Sequence, residues 1–303
     1  MFSFLSKLGN AKSMLNEFYN SSDNIIELKD DRLREFQLYL LSMYRDIADA
    51  CEKLGIQCFA VGGTCLGAVR HKGFIPWDDD IDISMTRDEY NVFRKHFNEL
   101  LGDKYILNAP NNCSKPIARF PKVLAKNTVF VPAGEEETES SKVFLDIFVL
   151  DRIPGNPIHR NIKGIYINAM EFISGQVSLY KNQNKMTHDS YKAGGKAQYY
   201  IREIIGFLFS YRSYENWCNK IDQAVQYQGD SQNLYGLPTG RLHYLKDLHG
   251  EDEIYPLNEL PFEGIMIKVP GKTDTYLKNL FHEYMQLPPP EKREHHYLTK
   301  LEF

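Results

Sequence analysis

The chain has 303 residues, enough for one large domain or two modest ones. Its hydrophobic content of 43% and charged content of 25% are ordinary for a globular protein. A net charge of only −4 excludes the global basic field that non-specific nucleic-acid binding needs, so we expect no nucleic-acid partner. The five cysteines include no Cys-x-x-Cys pair, which excludes a disulfide framework and a cysteine-rich zinc site.

The N-terminal sequence does not resemble a targeting segment. It lacks a charged region ahead of an apolar core, so it predicts no signal peptide. No apolar run approaches the ~20 residues that span a bilayer. We therefore expect a cytoplasmic protein, either free or peripheral at the inner face of the membrane. Residues 1–29 have mixed composition, and residues 20–24 predict a loop.

Residues 31–54 predict the first long helix, because their apolar residues recur with a period of 3.6 and Gly55 offers a C-cap. Residues 56–61 then read as a buried strand. The Gly62-Gly63-Thr64 turn follows, and residues 64–70 have a composition typical of a helix. A strand, a glycine turn and a helix in this order direct helix N–H groups towards an anion. We therefore predict that Gly62, Gly63 and Thr64 bind a substrate phosphate.

Four carboxylates, Asp78, Asp79, Asp80 and Asp82, follow within five residues. Such crowding is costly unless a cation neutralises it. The Asp-Ile-Asp-Ile alternation predicts a strand on which Asp80 and Asp82 share one face, while the isoleucines enter the core. Two carboxylates on one face could hold one or two hard cations, Mg²⁺ or Mn²⁺.

Three alternative roles for these carboxylates fit the surrounding residues less well. A solvated charge run is disfavoured by the alternation with isoleucine. An EF-hand loop would need glycine at its sixth position, where this chain has Ile83. An aspartyl-phosphate hydrolase would place its Asp-x-Asp directly after a long buried strand, whereas Pro76-Trp77 precedes the pair here.

Residues 143–150 predict another buried strand, interrupted only by Asp146. A buried ionised carboxylate is expensive unless it is paired or binds a metal. The alternative is that Asp146 caps a neighbouring loop. A paired or metal-binding carboxylate is the favoured interpretation.

Several basic side chains could contact substrate phosphates. They lie at the end of the predicted glycine-turn helix and on a strand predicted within residues 116–124: Arg70, His71, Lys72, Arg119 and Lys122. Ordinary surface charge is the competing interpretation for all five. The glutamates of residues 135–139 predict a solvated loop.

The remaining elements follow from local patterns. Thr86 and Glu89 form a predicted capping box that opens a helix to about Leu101. Helices are also predicted over residues 158–181, 189–210, 213–228 and 273–285, and a strand over 262–269. The apolar run 204–209 could be core or could touch a lipid-linked acceptor, and we assign it to the core. His295-His296 is assigned to an exposed tail rather than to a metal site.

Residues 62–83 closely resemble the motif of the LicD family of phosphotransferases, which belongs to the nucleotidyltransferase superfamily and is related to the fukutin group. The resemblance is close over residues 30–150 and loose over 255–296. It implies that Asp146, within Asp146-Ile-Phe148, is the third carboxylate of a metal-binding and catalytic set with Asp80 and Asp82. It also implies transfer of a phospho-alcohol group, such as phosphocholine, from a CDP-activated alcohol to a glycan or lipid-linked glycan, with release of CMP.

These observations predict an α/β (α+β) fold in which a nucleotidyltransferase-type mixed sheet is flanked by helices. We expect an N-terminal segment (1–29), a catalytic core (30–155), a helical acceptor-side region (156–230) and a C-terminal mixed segment on the core (231–303). Two further functions stay open: attachment of the nucleotide itself, and non-catalytic binding of a glycan or nucleotide.

Overall fold

The computed structural model describes residues 25–303, apart from the side chains of Ala193 and Glu291. The predicted loop at residues 20–24 lies outside this range. Within it, the helices are α1 (Asp30–Lys53), α2 (Gly62–His71), α3 (Arg87–Leu101), α4 (Pro157–Lys181), α5 (Lys185–Ala193), α6 (Lys196–Phe209), α7 (Tyr214–Val225), α8 (Glu251–Ile254) and α9 (Thr273–Phe281). The strands are β1 (Phe59–Ala60), β2 (Asp82–Thr86), β3 (Tyr105–Asn108), β4 (Lys122–Ala125), β5 (Val129–Pro132), β6 (Phe144–Arg152), β7 (Leu234–Gly236), β8 (Leu248–Gly250), β9 (Asn258–Phe262), β10 (Ile265–Val269) and β11 (Leu298–Glu302).

A mixed sheet forms the centre of the fold. Its strands run in the order β1-β2-β6-β4-β3, and β7 and β8 extend it from β6. Strands β2 and β6 are parallel, and Asp82 lies opposite Asp146. The other pairs in this sheet are antiparallel. The predicted mixed sheet flanked by helices is confirmed.

Two of the predicted helix ends agree with the structure. The first helix, α1, is followed by Gly55 at a φ of +68°, which suits a residue after a helix C-cap. Helix α3 starts with the predicted capping box: the Glu89 amide donates to the Thr86 hydroxyl, and the Thr86 amide donates to the Glu89 carboxylate. Buried side chains of both helices join the main hydrophobic cluster against the sheet.

A second, smaller hydrophobic cluster lies within the helical region. Its buried members come mainly from α4 and α7: Ile153, Ile167, Met170, Val177, Trp217, Ile221, Val225 and Tyr244. None of the helices in residues 25–303 combines the length and the apolar character needed to cross a bilayer.

Three predicted elements differ from the structure. The predicted strand over residues 262–269 is a hairpin of β9 and β10, since Glu263 and Gly264 both adopt positive φ and reverse the chain. The predicted helix over residues 189–210 is divided into α5 and α6 at Gly194-Gly195, where Gly195 has a φ of +139°. Strand β2 begins at Asp82, so Asp80 precedes the strand instead of lying on it, although Ile81 and Ile83 are buried as predicted.

The apolar run 204–209 is only partly core, and three of its large side chains are exposed, contrary to the sequence-based assignment. Ile204, Phe207 and Leu208 are 58%, 60% and 61% exposed. The physical reason is that α6 packs on α4 through its opposite side. There Gly206 is buried so tightly that an added Cβ would lie 2.3 Å from the Gln176 carbonyl oxygen.

A buried ion triad connects the helical region to the sheet. The Arg87 guanidinium donates Nε and Nη2 to the two oxygens of Asp151 at 2.8 and 2.7 Å, and Nη1 to Asp222 at 2.9 Å. Burial alone would lower the pKa of Arg87, but the two carboxylates hold this pKa above its usual range. Burial nevertheless raises the pKa of Asp151, although Arg87 lowers it. Desolvation therefore offsets much of the electrostatic attraction between Asp151 and Arg87.

Replacing Arg87 by methionine should lower the free energy of unfolding by about 3–5 kcal/mol, because two buried carboxylates lose their partner. Urea denaturation followed by circular dichroism measures this change. The matched control is Arg45→Met on α1, where Arg45 is exposed and the expected change is within about 0.5 kcal/mol. Equal stabilities for the two variants would contradict a structural role for the triad.

Candidate active site

Two neighbouring strands bring together two of the three predicted catalytic carboxylates. Asp82 begins β2, Asp146 lies inside β6, and the two residues are direct partners in the parallel pairing. Adjacent strands lie about 4.8 Å apart, so these carboxylates belong to one cluster. Asp80, two residues before β2, is close enough that both Asp80 and Asp146 add to the raising of the Asp82 pKa by burial.

The cluster carries an excess of negative charge. Burial, followed by the neighbouring carboxylates, raises the pKa values of Asp78 and Asp82 well above their usual range. Burial also raises the pKa of Asp80 to about 6, although His296 and Lys122 oppose this shift. These carboxylates repel one another when they are all ionised, and a hard divalent cation would relieve that repulsion. Their oxygens are also the ligands that such a cation prefers. The residues present therefore fit Mg²⁺ or Mn²⁺.

The glycine turn lies directly against these carboxylates. A Cβ on Gly62 would be 2.8 Å from an Asp82 oxygen, and a Cβ on Gly63 would be 2.9 Å from an Asp78 oxygen. Gly62 also has a φ of +55°. The Asp82 amide donates to the Thr64 hydroxyl at 2.8 Å. The turn thus begins helix α2 as predicted and fixes Asp82, while its predicted contact with a substrate phosphate stays a prediction.

Of the five basic candidates, Lys122 lies at the carboxylates. Its ammonium contacts Asp146 at 2.6 Å and lies 3.5 Å from the centre of the Phe144 ring. Arg119 precedes β4 instead of lying on a strand, and its Nη1 donates to the Glu171 carbonyl of α4 at 3.2 Å. Arg119 therefore joins the helical region to the residues before β4.

The other three basic candidates lie at the far end of α2. Arg70 donates Nη1 to the Tyr284 carbonyl at 2.7 Å and Nε to the His71 ring at 2.9 Å. Lys72 is the exposed C-cap of the helix, with a φ of +57°. Burial lowers the pKa of Arg70, and the charge of Asp78 opposes this shift, so Arg70 feels the carboxylate cluster electrostatically.

His296 is a site residue that the sequence-based assignment to an exposed tail missed. Both its amide and its Nδ1 contact the Asp79 carboxylate at 2.9 Å. The pairing of β11 with β5 brings this segment back to the carboxylates. Among residues 25–303, Asp79, Asp80 and His296 form the group whose possible metal-ligand atoms all lie within 4.8 Å of one another.

Tyr276 of α9 is a second residue that the sequence did not single out. The Gly62 amide donates to its hydroxyl at 3.0 Å, so α9 supports the first residue of α2. Burial raises the pKa of Tyr276 well above its usual range, which keeps the hydroxyl neutral. No local pattern marks either residue, because each reaches the site from more than 200 residues away.

Comparison with known proteins agrees with this geometry. Residues 55–163 match the family described as LicD/FKTN/FKRP, nucleotidyltransferase domain, and this range contains the glycine turn and all the clustered carboxylates. The lipopolysaccharide cholinephosphotransferase LicD of Haemophilus influenzae is 28% identical over 289 residues, covering 90% of this chain and 98% of the relative. Residues 55–163 thus form a LicD-family domain.

Shorter similarities to other proteins are also found. An uncharacterized protein of Rickettsia prowazekii, RP689, is 36% identical over 70 residues, covering 21% of this chain and 26% of the relative. An uncharacterized protein of Rickettsia typhi, RT0683, is 34% identical over 82 residues, covering 25% of each chain. The Haemophilus similarity extends furthest of the three, because it covers most of both chains.

We expect the pKa of His296 to lie far above that of an ordinary histidine. Burial would lower its pKa, but the Asp79 carboxylate and then Asp80 raise it from 6.5 to about 9. Because this pKa is higher in the folded than in the unfolded state, the contact of protonated His296 with Asp79 stabilises the fold fully below pH 6.5. This stabilisation is lost as the pH rises through about 9. The stability difference between the wild type and Asp79→Asn should therefore shrink over this pH window.

The titration can be followed by NMR of the histidine ring with a chelator present. Asp79→Asn should return the pKa of His296 towards the ordinary value, whereas Asp103→Asn, at an exposed aspartate, should leave it unchanged. A wild-type His296 that titrates near pH 6.5 would show that the Asp79 contact does not form in solution.

Proposed function

We propose that this chain transfers a phospho-alcohol group, such as phosphocholine, from a CDP-activated alcohol to a hydroxyl of a cell-surface glycan or its precursor, releasing CMP. The observation that carries the proposal is the in-register pairing of Asp82 with Asp146, with Asp80 two residues away. The LicD-family match of residues 55–163 and the name of the Haemophilus relative support the transferred group and a lipopolysaccharide-type acceptor.

Mg²⁺ or Mn²⁺ is proposed as the cofactor, held by Asp80, Asp82 and Asp146. When bound, such an ion would neutralise the charge of the donor phosphates and of the leaving CMP. The raised pKa values of Asp80 and Asp82 support this assignment, because burial and the neighbouring carboxylates disfavour the charged form of both groups. His296 and Asp79 adjoin Asp80 and are proposed to position it.

The chain's own groups would supply orientation and proton transfer. The first N–H groups of a helix lack partners within the helix, so Gly63 and Thr64 can donate to the donor phosphates. Asp146 is proposed to accept the proton of the attacking hydroxyl. Lys122, at 2.6 Å, would keep positive charge beside Asp146 and the developing phosphoryl charge. Positioning and charge neutralisation would supply most of the rate, as in other phosphoryl transfers.

One alternative reaction uses the same residues. In nucleotidyl transfer, the acceptor attacks the other phosphorus and the nucleotide itself becomes attached. The carboxylates and the glycine turn would serve equally well, so the released product decides between the two reactions. A non-catalytic relative that binds a glycan or nucleotide is disfavoured, because Asp82 and Asp146 are direct partners in the sheet and Asp80 lies two residues before Asp82.

The protein, incubated with Mg²⁺ and single CDP-alcohols from a panel, should release CMP from one of them. Mass spectrometry follows CMP and, with nucleoside triphosphates as donors, pyrophosphate. Asp82→Asn should reduce turnover by about 10³-fold or more, because the cation site loses a charged ligand beside the reacting phosphate.

The control is Asp103→Asn, an identical substitution at an exposed position away from the cluster, which should retain wild-type turnover. A fully active Asp82→Asn variant would contradict the cation assignment. Pyrophosphate release without CMP release would establish nucleotidyl transfer instead. No turnover combined with no metal-dependent donor binding would favour the non-catalytic interpretation.

A further inference from the structure

Helix α6 exposes a continuous apolar stripe. The stripe consists of Tyr200, Ile201, Ile204, Phe207 and Leu208, whose spacings place them on one side of the helix, and of Tyr211, two residues past the helix end. Their exposed fractions range from 37% to 73%. From Tyr200 to Leu208 the stripe covers about two helical turns, or about 12 Å at the usual rise per residue. Exposed apolar surface of this continuity marks an interaction site more often than chance.

A second apolar stripe lies on α4, the helix against which α6 packs. Ile158, Ile162, Ile165 and Tyr166 are 49% to 72% exposed and share the face that carries Phe172, Gln176 and Tyr180 further along the helix. That later part of the face is covered by α6: Arg202 bonds Gln176 at 2.9 Å, and the Phe207 ring lies 5.8 Å from the Tyr180 ring. The two stripes thus lie on a packed pair of helices.

The electrostatic surroundings of these stripes are basic. Residues 157–212 contain eight Lys and Arg residues against three Asp and Glu residues, a formal net charge of +5 in a chain of net charge −4. One of the three acids, Glu171, is buried. The helical region thus has the opposite sign from the rest of the molecule.

Cationic side chains lie at both ends of the α6 stripe. The Lys192 ammonium lies 5.1 Å from the Tyr199 ring, which contacts Tyr200. The Arg212 guanidinium lies 5.0 Å from the Trp217 ring, which contacts Tyr211. Near the middle, Lys181 lies 5.8 Å from the ring of Tyr180, the partner of Phe207. An apolar stripe bordered by cations is the pattern of a helix that lies in the plane of a membrane interface.

We propose that the apolar surface of α4 and α6 binds the surface of a bilayer that contains anionic lipids. The stripe would insert at the boundary between head groups and acyl chains, while Lys181, Lys192 and Arg212 contact the head groups. A second copy of the chain fits this surface less well, because a symmetric pair would bring two regions of charge +5 face to face.

The proposal goes beyond the transfer reaction and does not depend on it. Helix α4 is also connected to the residues that precede β4, because Arg119 donates a hydrogen bond to the Glu171 carbonyl of α4. A bilayer-bound α4 would hold the carboxylate cluster close to the membrane surface. Vesicle binding can be measured without donor, acceptor or divalent cation, so its outcome is independent of the proposed activity.

The test is co-sedimentation of the full chain with vesicles of phosphatidylcholine, with and without phosphatidylglycerol. Binding should require phosphatidylglycerol and should weaken as the salt concentration rises. Leu208→Asp should weaken binding about tenfold or more, because it removes an inserted leucine and adds negative charge. The matched control is Leu38→Asp, at a 48% exposed leucine of α1, which should bind as the wild type does.

A charge variant tests the electrostatic half of the proposal. Lys192→Gln should weaken binding about fivefold, whereas Lys95→Gln on α3 should not. Circular dichroism confirms that each variant is folded, which is expected because all four side chains are at least partly exposed. The proposal would be overturned if Leu208→Asp bound vesicles as tightly as the wild type does. It would also be overturned if binding depended neither on the lipid charge nor on the salt concentration. Conversion of a dimer to a monomer by Leu208→Asp in sedimentation velocity would overturn it in favour of self-association.

Discussion

The parallel pairing of β2 with β6 is the constraint on which the rest of the structure depends. It places Asp82 opposite Asp146 and continues for five residue pairs to Thr86 and Leu150. One residue of slippage would turn every side chain of a strand to the other face of the sheet. Buried Ile83 and Ile147, which are also direct partners, oppose such slippage by filling the core. Apolar packing thus fixes the position of the polar site.

The carboxylate cluster is tolerated because several neutralising contacts surround it. Lys122 contacts Asp146, His296 contacts Asp79, and the Thr64 hydroxyl accepts a hydrogen bond from the Asp82 amide. These contacts come from β4, from the segment before β11 and from the start of α2. They hold the carboxylates in place while leaving Asp78 and Asp82 with strongly raised pKa values. This residual imbalance is what a bound cation would correct.

The sequence predicts the local parts of the site well and the long-range parts poorly. The Thr86–Glu89 capping box, the helix after Gly62 and the burial of Ile81 depend on neighbours in sequence, and each is found in the structure. His296 and Tyr276 arrive through tertiary packing, which no local pattern encodes. The exposure of the run around Phe207 escapes prediction for the same reason: periodicity identifies the apolar face of a helix but not whether a partner covers it.

The β2–β6 pairing also has a consequence for the order in which the molecule assembles. Ser84 and Phe148, bonded across these strands, are 64 residues apart in the chain. Closing so long a loop costs entropy before any contact compensates, and such non-local pairings form slowly. α1 and α3 can form from local interactions first, but the carboxylate cluster cannot exist until this closure occurs. A nascent or partly unfolded chain would therefore lack the paired carboxylates, and cation binding would report completion of the sheet.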